Sequence, residues 1–94
     1  MIPDFEWDCR KAASKLAKHG VSFAEAVTAF RDPYGRIVQD PRHSHSEERL
    51  ALVGRSERRR LVAIMFTERE DRVRLISARK ATRSERNDYE EASS

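Results

Sequence analysis

At 94 residues and a net charge of +3, the chain is long enough for one domain with a small core and too short for two. Apolar residues make up 38% and charged residues 37%, and the apolar ones fall in periodic clusters, which excludes a low-complexity or disordered chain. Cys9 is the single cysteine, so no intramolecular disulfide forms, no stretch approaches the ~20 apolar residues of a membrane span, and an acidic start at Asp4, Glu6 and Asp8 is unlike a signal peptide; a soluble cytoplasmic protein is expected.

Phe5-Glu6-Trp7 reads as a brief strand or an anchoring segment. Asp8 caps a helix from Cys9 to about His19, with Ala12, Leu16 and His19 on one face, and Gly20 ends it. Ser22-Phe23-Ala24-Glu25 is a capping box in which serine and glutamate each take the other's N–H. The helix it opens carries Phe23, Ala26, Val27 and Phe30 as one buried stripe. Asp32-Pro33-Tyr34-Gly35 breaks that helix as a turn.

The period then moves toward two. Arg36 to Val38 and Glu48 to Gly54 are expected strands, the second with Leu50 and Leu52 on one face and Ala51 and Val53 on the other. Leu61 to Phe66 is a continuous apolar run, as in a central strand buried on both faces. Glu68 to Asp71 is a hairpin connection, and Val73 to Ala78 alternates again. Thr82-Arg83-Ser84-Glu85 is a second capping box, opening a last helix through about Glu91. The order gives an α+β fold: two N-terminal helices, an antiparallel sheet and a C-terminal helix in one domain, 1–94.

Charge is unevenly spread. Residues 55–86 hold eleven Lys and Arg against five Asp and Glu, the footprint of a polyanion-binding surface. Three segments carry candidate chemistry. Lys18-His19-Gly20 puts cations at a helix C-terminus, which is ordinary capping or a phosphate contact. Asp40 to Arg49 holds His43, His45, Glu47, Glu48 and Arg49, suited to general acid–base chemistry; two histidines without a matching cluster make a weak zinc site. Arg74 to Lys80 ends in Arg79, expected on the Leu75 side of its strand, as a phosphate clamp or in a salt bridge to Glu85 or Glu48.

Together these blocks resemble the BrnT family of bacterial toxins along nearly the whole chain. They are Phe5-Glu6-Trp7-Asp8, Lys11, Lys18 to Phe23 with Glu25-Ala26, Asp32-Pro33, Asp40-Pro41, His43-Ser44, Glu47-Glu48-Arg49, Gly54, Thr67-Glu68-Arg69, Arg74 to Thr82, Glu85 and Tyr89. The first-helix block departs from the family at Lys15, where asparagine is usual. The resemblance implies a RelE-like fold with a curved sheet, a ribonuclease that arrests growth, and a BrnA-type ribbon-helix-helix antitoxin that carries any contact with operator DNA. No cofactor or metal is implied.

RNA cleavage without a metal needs a base for the 2′-hydroxyl, cations for the phosphorane and an acid for the leaving 5′-oxygen. On the expected fold Arg79 and Arg49 supply charge, His43 acts as acid or base with Glu48 as the alternative base, and Lys18, His19, Lys80 and Tyr89 position RNA. The competing readings are a basic module that binds nucleic acid or protein without cutting, and a metallohydrolase at His43 and His45.

Overall fold

Local signals decide where each element starts and stops. In the computed structural model, which describes residues 4–39 and 49–93, the order is β1 (Asp4–Glu6), α1 (Cys9–His19), α2 (Phe23–Ala29), β2 (Arg36–Gln39), β3 (Leu50–Arg55), β4 (Leu61–Arg69), β5 (Arg72–Lys80) and α3 (Arg83–Ser93). The Asp8 carboxylate accepts from the N–H groups of Arg10 and Lys11 at 2.8 and 3.3 Å and starts α1. Gly20 stops it at φ 75°, donating its N–H to the Leu16 carbonyl.

The expected apolar face of α1 is only partly a packing face. Ala12 touches the core, but Leu16 is 46% exposed and no residue of α1 is fully buried. Anchors at both ends help to hold the helix. Trp7 packs edge-on against Phe23 at 5.9 Å, and the Gly20 carbonyl accepts from Arg60 at 3.0 Å.

α2 begins with half of the expected capping box. The Ser22 hydroxyl accepts from the Glu25 N–H at 3.0 Å. The Glu25 carboxylate does not return to Ser22; Ser56 donates to it at 2.7 Å and Arg60 grips it through Nε and Nη2. Glu25 is 4% exposed, and a buried carboxylate is better satisfied by a guanidinium fork than by one amide. Phe23 and Ala26 are buried, while Val27 and Phe30 are half-buried. Phe30 sits edge-on to both Phe5 and Phe66, at 5.0 and 5.1 Å.

The strands form one five-stranded sheet in the order β1-β5-β4-β3-β2. β2 to β5 are an antiparallel meander, as expected. The expectation of a wholly antiparallel sheet is overturned at one edge: β1 pairs parallel with β5, Phe5 opposite Val73, so the sheet is mixed. Such pairing needs a crossover, supplied here by the chain running through α1 and α2 before it returns.

Each face has its own core. On one, Leu52, Val62, Ile64, Phe66, Val73, Leu75 and Ala78 lie under Val21, Phe23, Ala26 and Ala29. On the other, Val53, Leu61 and Ala63 lie under Tyr89 of α3. Gly54 lets α2 come close, since a Cβ there would stand 3.0 Å from the Ala29 carbonyl oxygen. Among the described residues no helix is long and apolar enough to cross a membrane.

Candidate nucleic-acid interface

The two faces of the sheet differ in charge as well as cover. Residues directly opposed in antiparallel pairs point to the same side. One such row runs Arg36, Val53, Ala63, Arg79, and the neighbouring pair Arg55 and Leu61 belongs to the same side. Arg74, opposite Thr67, lies there too. The α3 side of the sheet therefore carries Arg36, Arg55, Arg74 and Arg79 around a small apolar centre. The opposite side is the apolar bed for α1 and α2.

Arg79 was expected on the Leu75 side, and the structure places it on the other. The β4–β5 register slips between Met65 and Phe66, which oppose Ser77 and Leu75, so Ile76 is an extra residue. A bulge of this kind reverses the alternation beyond it. Leu75 and Ala78 consequently share the large core, and Arg79 turns toward α3.

There Glu85 holds it. The Glu85 carboxylate accepts from Arg79 Nη1 at 2.7 Å and from Nη2 at 3.0 Å. The same carboxylate accepts from the Thr82 N–H at 2.8 Å, while the Thr82 hydroxyl accepts from the Glu85 N–H at 3.1 Å. The second capping box thus forms in full, and it fixes the guanidinium plane as well as the start of α3. Lys80 faces the α1 and α2 side, opposite Val62, and is exposed.

His19 ends α1. Its pKa is lowered first by desolvation and then by the charges of Lys18, Lys15 and Arg79. The imidazole is thereby kept uncharged, and able to accept a proton, to lower pH than an ordinary histidine. β1 pairs with β5 only at Arg72, Val73 and Arg74, and α1 packs against β5 as well; among the described residues no strand pairs with β5 on that side beyond Arg74.

The other sequence candidates are distributed as follows. Arg49 directly precedes β3, is half-buried, and falls in step with Ala51 and Val53 along the chain. Lys18 is exposed in the last turn of α1. Tyr89 is not presented to a ligand: it is 4% exposed, its hydroxyl donates to Asp32 at 2.6 Å, and Arg55 lies over its ring at 5.6 Å. A buried ring with its hydroxyl engaged ties α3 to the sheet and has no face for a base. His43 and Glu48, with His45, lie outside the described residues.

A family model described as the ribonuclease toxin BrnT of type II toxin-antitoxin systems matches residues 7–85. The chain belongs to this BrnT family. The crystal structure of the Brucella abortus ribonuclease toxin BrnT matches it with a TM-score of 0.66 and 21% identity, covering 86% of this chain and 99% of that one. That likeness is one of fold. No curated protein matches the chain.

Lys15, singled out in the sequence as a departure that could add charge, contributes to the field on His19, and one residue of this BrnT chain escaped the sequence reading as part of this network. Asp32, read only as a turn former, accepts from Tyr89, from the Arg55 N–H at 2.8 Å and from the Tyr34 N–H at 2.9 Å. The signal for Asp32 was its place before Pro33, where a side chain commonly takes up a nearby N–H.

These carboxylates give the BrnT chain an acid-sensitive fold. Arg60 holds the Glu25 pKa low against burial, and Arg79 does the same for Glu85. For Asp32, burial acts upward and is outweighed by the bonds from Tyr89, Arg55 and Tyr34. A carboxylate with a lowered folded pKa stabilises fully above its unfolded value, about 4, and loses that contribution as pH falls through the folded value. The thermal midpoint should therefore fall slightly as pH drops below about 6.5, because His19 is harder to protonate in the fold, and drop steeply below ~4 as the carboxylates titrate. A midpoint flat down to about pH 2 would mean that these carboxylates titrate alike in both states.

Proposed function

We propose that this BrnT chain is a single-domain, RelE-like endoribonuclease that cuts RNA without a metal and arrests growth in the cytoplasm. The observation that carries the reading is the sheet face that carries Arg36, Arg55, Arg74 and Arg79, with the Arg79 guanidinium plane fixed by Glu85. His19 takes the proton from a 2′-hydroxyl, whose oxygen attacks the adjacent phosphorus. Arg79 and Arg49 stabilise the charge that gathers on the phosphorane oxygens. The bond to the 5′-oxygen breaks, and an acid protonates it. His43 fills that role in this reading and can exchange duties with His19; Glu48 is the alternative base. Lys18 and Lys80 hold the strand at the ends of α1 and β5.

Regulation follows from the family. A BrnA-type ribbon-helix-helix antitoxin covers the basic face, and the complex reaches operator DNA through the antitoxin alone. The test is a defined RNA incubated with the purified chain in excess chelator. Cleavage at undiminished rate is expected. Intact RNA, with cutting restored by a divalent ion, contradicts metal independence, and binding without cutting under any condition favours the non-catalytic module.

A further inference from the structure

The turn between β3 and β4 carries three successive arginines, Arg58, Arg59 and Arg60. Arg60 is engaged by Glu25 and by the Gly20 carbonyl. Arg58 comes no nearer to Glu25 than 3.9 Å, with its side chain 69% exposed. Arg59 is exposed, and among the described residues its guanidinium has no bonded partner. Its backbone lies at φ 63°, in the left-handed region that glycine adopts without strain and arginine does not. The turn enforces this through bonds from the Arg59 N–H to the Ser56 carbonyl, from the Ser56 N–H to the Arg60 carbonyl, both 2.9 Å, and from Arg55 Nη1 to the Arg59 carbonyl at 3.3 Å. Held in this way, the turn presents the Arg59 side chain to solvent beside Arg58.

The turn adjoins the proposed catalytic site. The Ala81 N–H donates to the Leu61 carbonyl at 3.0 Å, and Val62 opposes Lys80. The Arg60 bond to Gly20 brings in the end of α1. Arg58 and Arg59 therefore lie in the turn next to Lys80 at the end of β5 and to the end of α1. Ala63, opposite Arg79, is four residues from Arg59, roughly 13 Å at a strand's rise.

We propose that Arg58 and Arg59 form a second phosphate-binding subsite, which takes the RNA backbone outside the bond that is cut. The proposal rests on the RNA-cleaving reading. An RNA strand is favoured over an acidic protein because the turn adjoins Lys80 and the end of α1, where Lys18 lies, on the side where the proposed reading has those two lysines hold the strand. The subsite acts on binding: an interaction made equally in ground and transition states changes KM and leaves kcat alone.

Arg59→Gly separates binding from folding, because it relieves strain. Its thermal midpoint should equal or exceed that of the wild type. Its affinity for a short, non-cleavable 2′-O-methyl RNA, read by fluorescence anisotropy, should fall, and the slope of log K against log salt should shrink by about 0.7 for each phosphate no longer neutralised. Arg58→Ala should act in the same direction, with KM for a cleavable RNA raised and kcat unchanged. Unchanged affinity and slope in both folded variants would overturn the subsite, as would a loss confined to binding of the antitoxin. Weakened binding by variants of a chain that cuts no RNA would uphold the subsite and remove the catalytic reading instead.

Discussion

Arg79→Ala is expected to leave the protein folded and to cut single-turnover RNA cleavage by about a hundredfold or more, the scale seen when one group that stabilises developing charge is removed. Arg79 is at a strand end, half-buried, and its loss opens no cavity in either core. Glu85 keeps its bond from the Thr82 N–H, so α3 keeps its cap. The fold should therefore survive, its thermal midpoint lowered only by the loss of the Arg79–Glu85 pair, while growth arrest disappears. Arg79→Lys should recover little, because an ammonium cannot match two phosphate oxygens as a planar fork does. An unfolded Arg79→Ala would make the Arg79–Glu85 pair a structural tie. A folded and fully active one would remove Arg79 from the chemistry.

The largest loss of stability is expected from Phe66→Ala. Phe66 is 1% exposed, lies in the central strand and meets the Phe30 ring edge-on. Phe30 in turn meets Phe5, so one ring truncation slackens the packing between β4, α2 and β1. Truncating a buried phenylalanine costs about 3–5 kcal/mol, a large share of the roughly 5–15 kcal/mol that holds a small domain together. Denaturant unfolding should show that loss as a lower midpoint at an unchanged slope. A loss below ~1 kcal/mol would mean that the core refills the space.

Elements whose causes are local were legible in the sequence. Asp8, Ser22 and the Thr82–Glu85 pair announced three helix starts, and Gly20 a helix stop. Alternation placed Leu52 and Val53 on opposite faces, as found. What escaped was decided by distant partners. Nothing in Phe5-Glu6-Trp7 says that it pairs parallel with a strand almost seventy residues later. Nothing in Arg74 to Lys80 marks Ile76 as the extra residue, yet that bulge decides which face Arg79 serves. Tyr89 had the chemistry of a base-stacking residue; its burial and its bond to Asp32 make it an anchor instead. His19 was legible as a cation beside RNA, but the lowering of its pKa comes first from desolvation and then from Lys18, Lys15 and Arg79, the last of which only the fold brings near.

The most direct test of RNA cleavage by the 2′-hydroxyl is the chemistry of the fragment ends. RNA cut by the purified chain should carry 2′,3′-cyclic phosphate or 3′-phosphate upstream of the break and 5′-hydroxyl downstream, because the 2′-oxygen is the nucleophile. Fragments ending in 3′-hydroxyl and 5′-phosphate would mean that water attacks instead, and would contradict the roles given to His19 and Arg79.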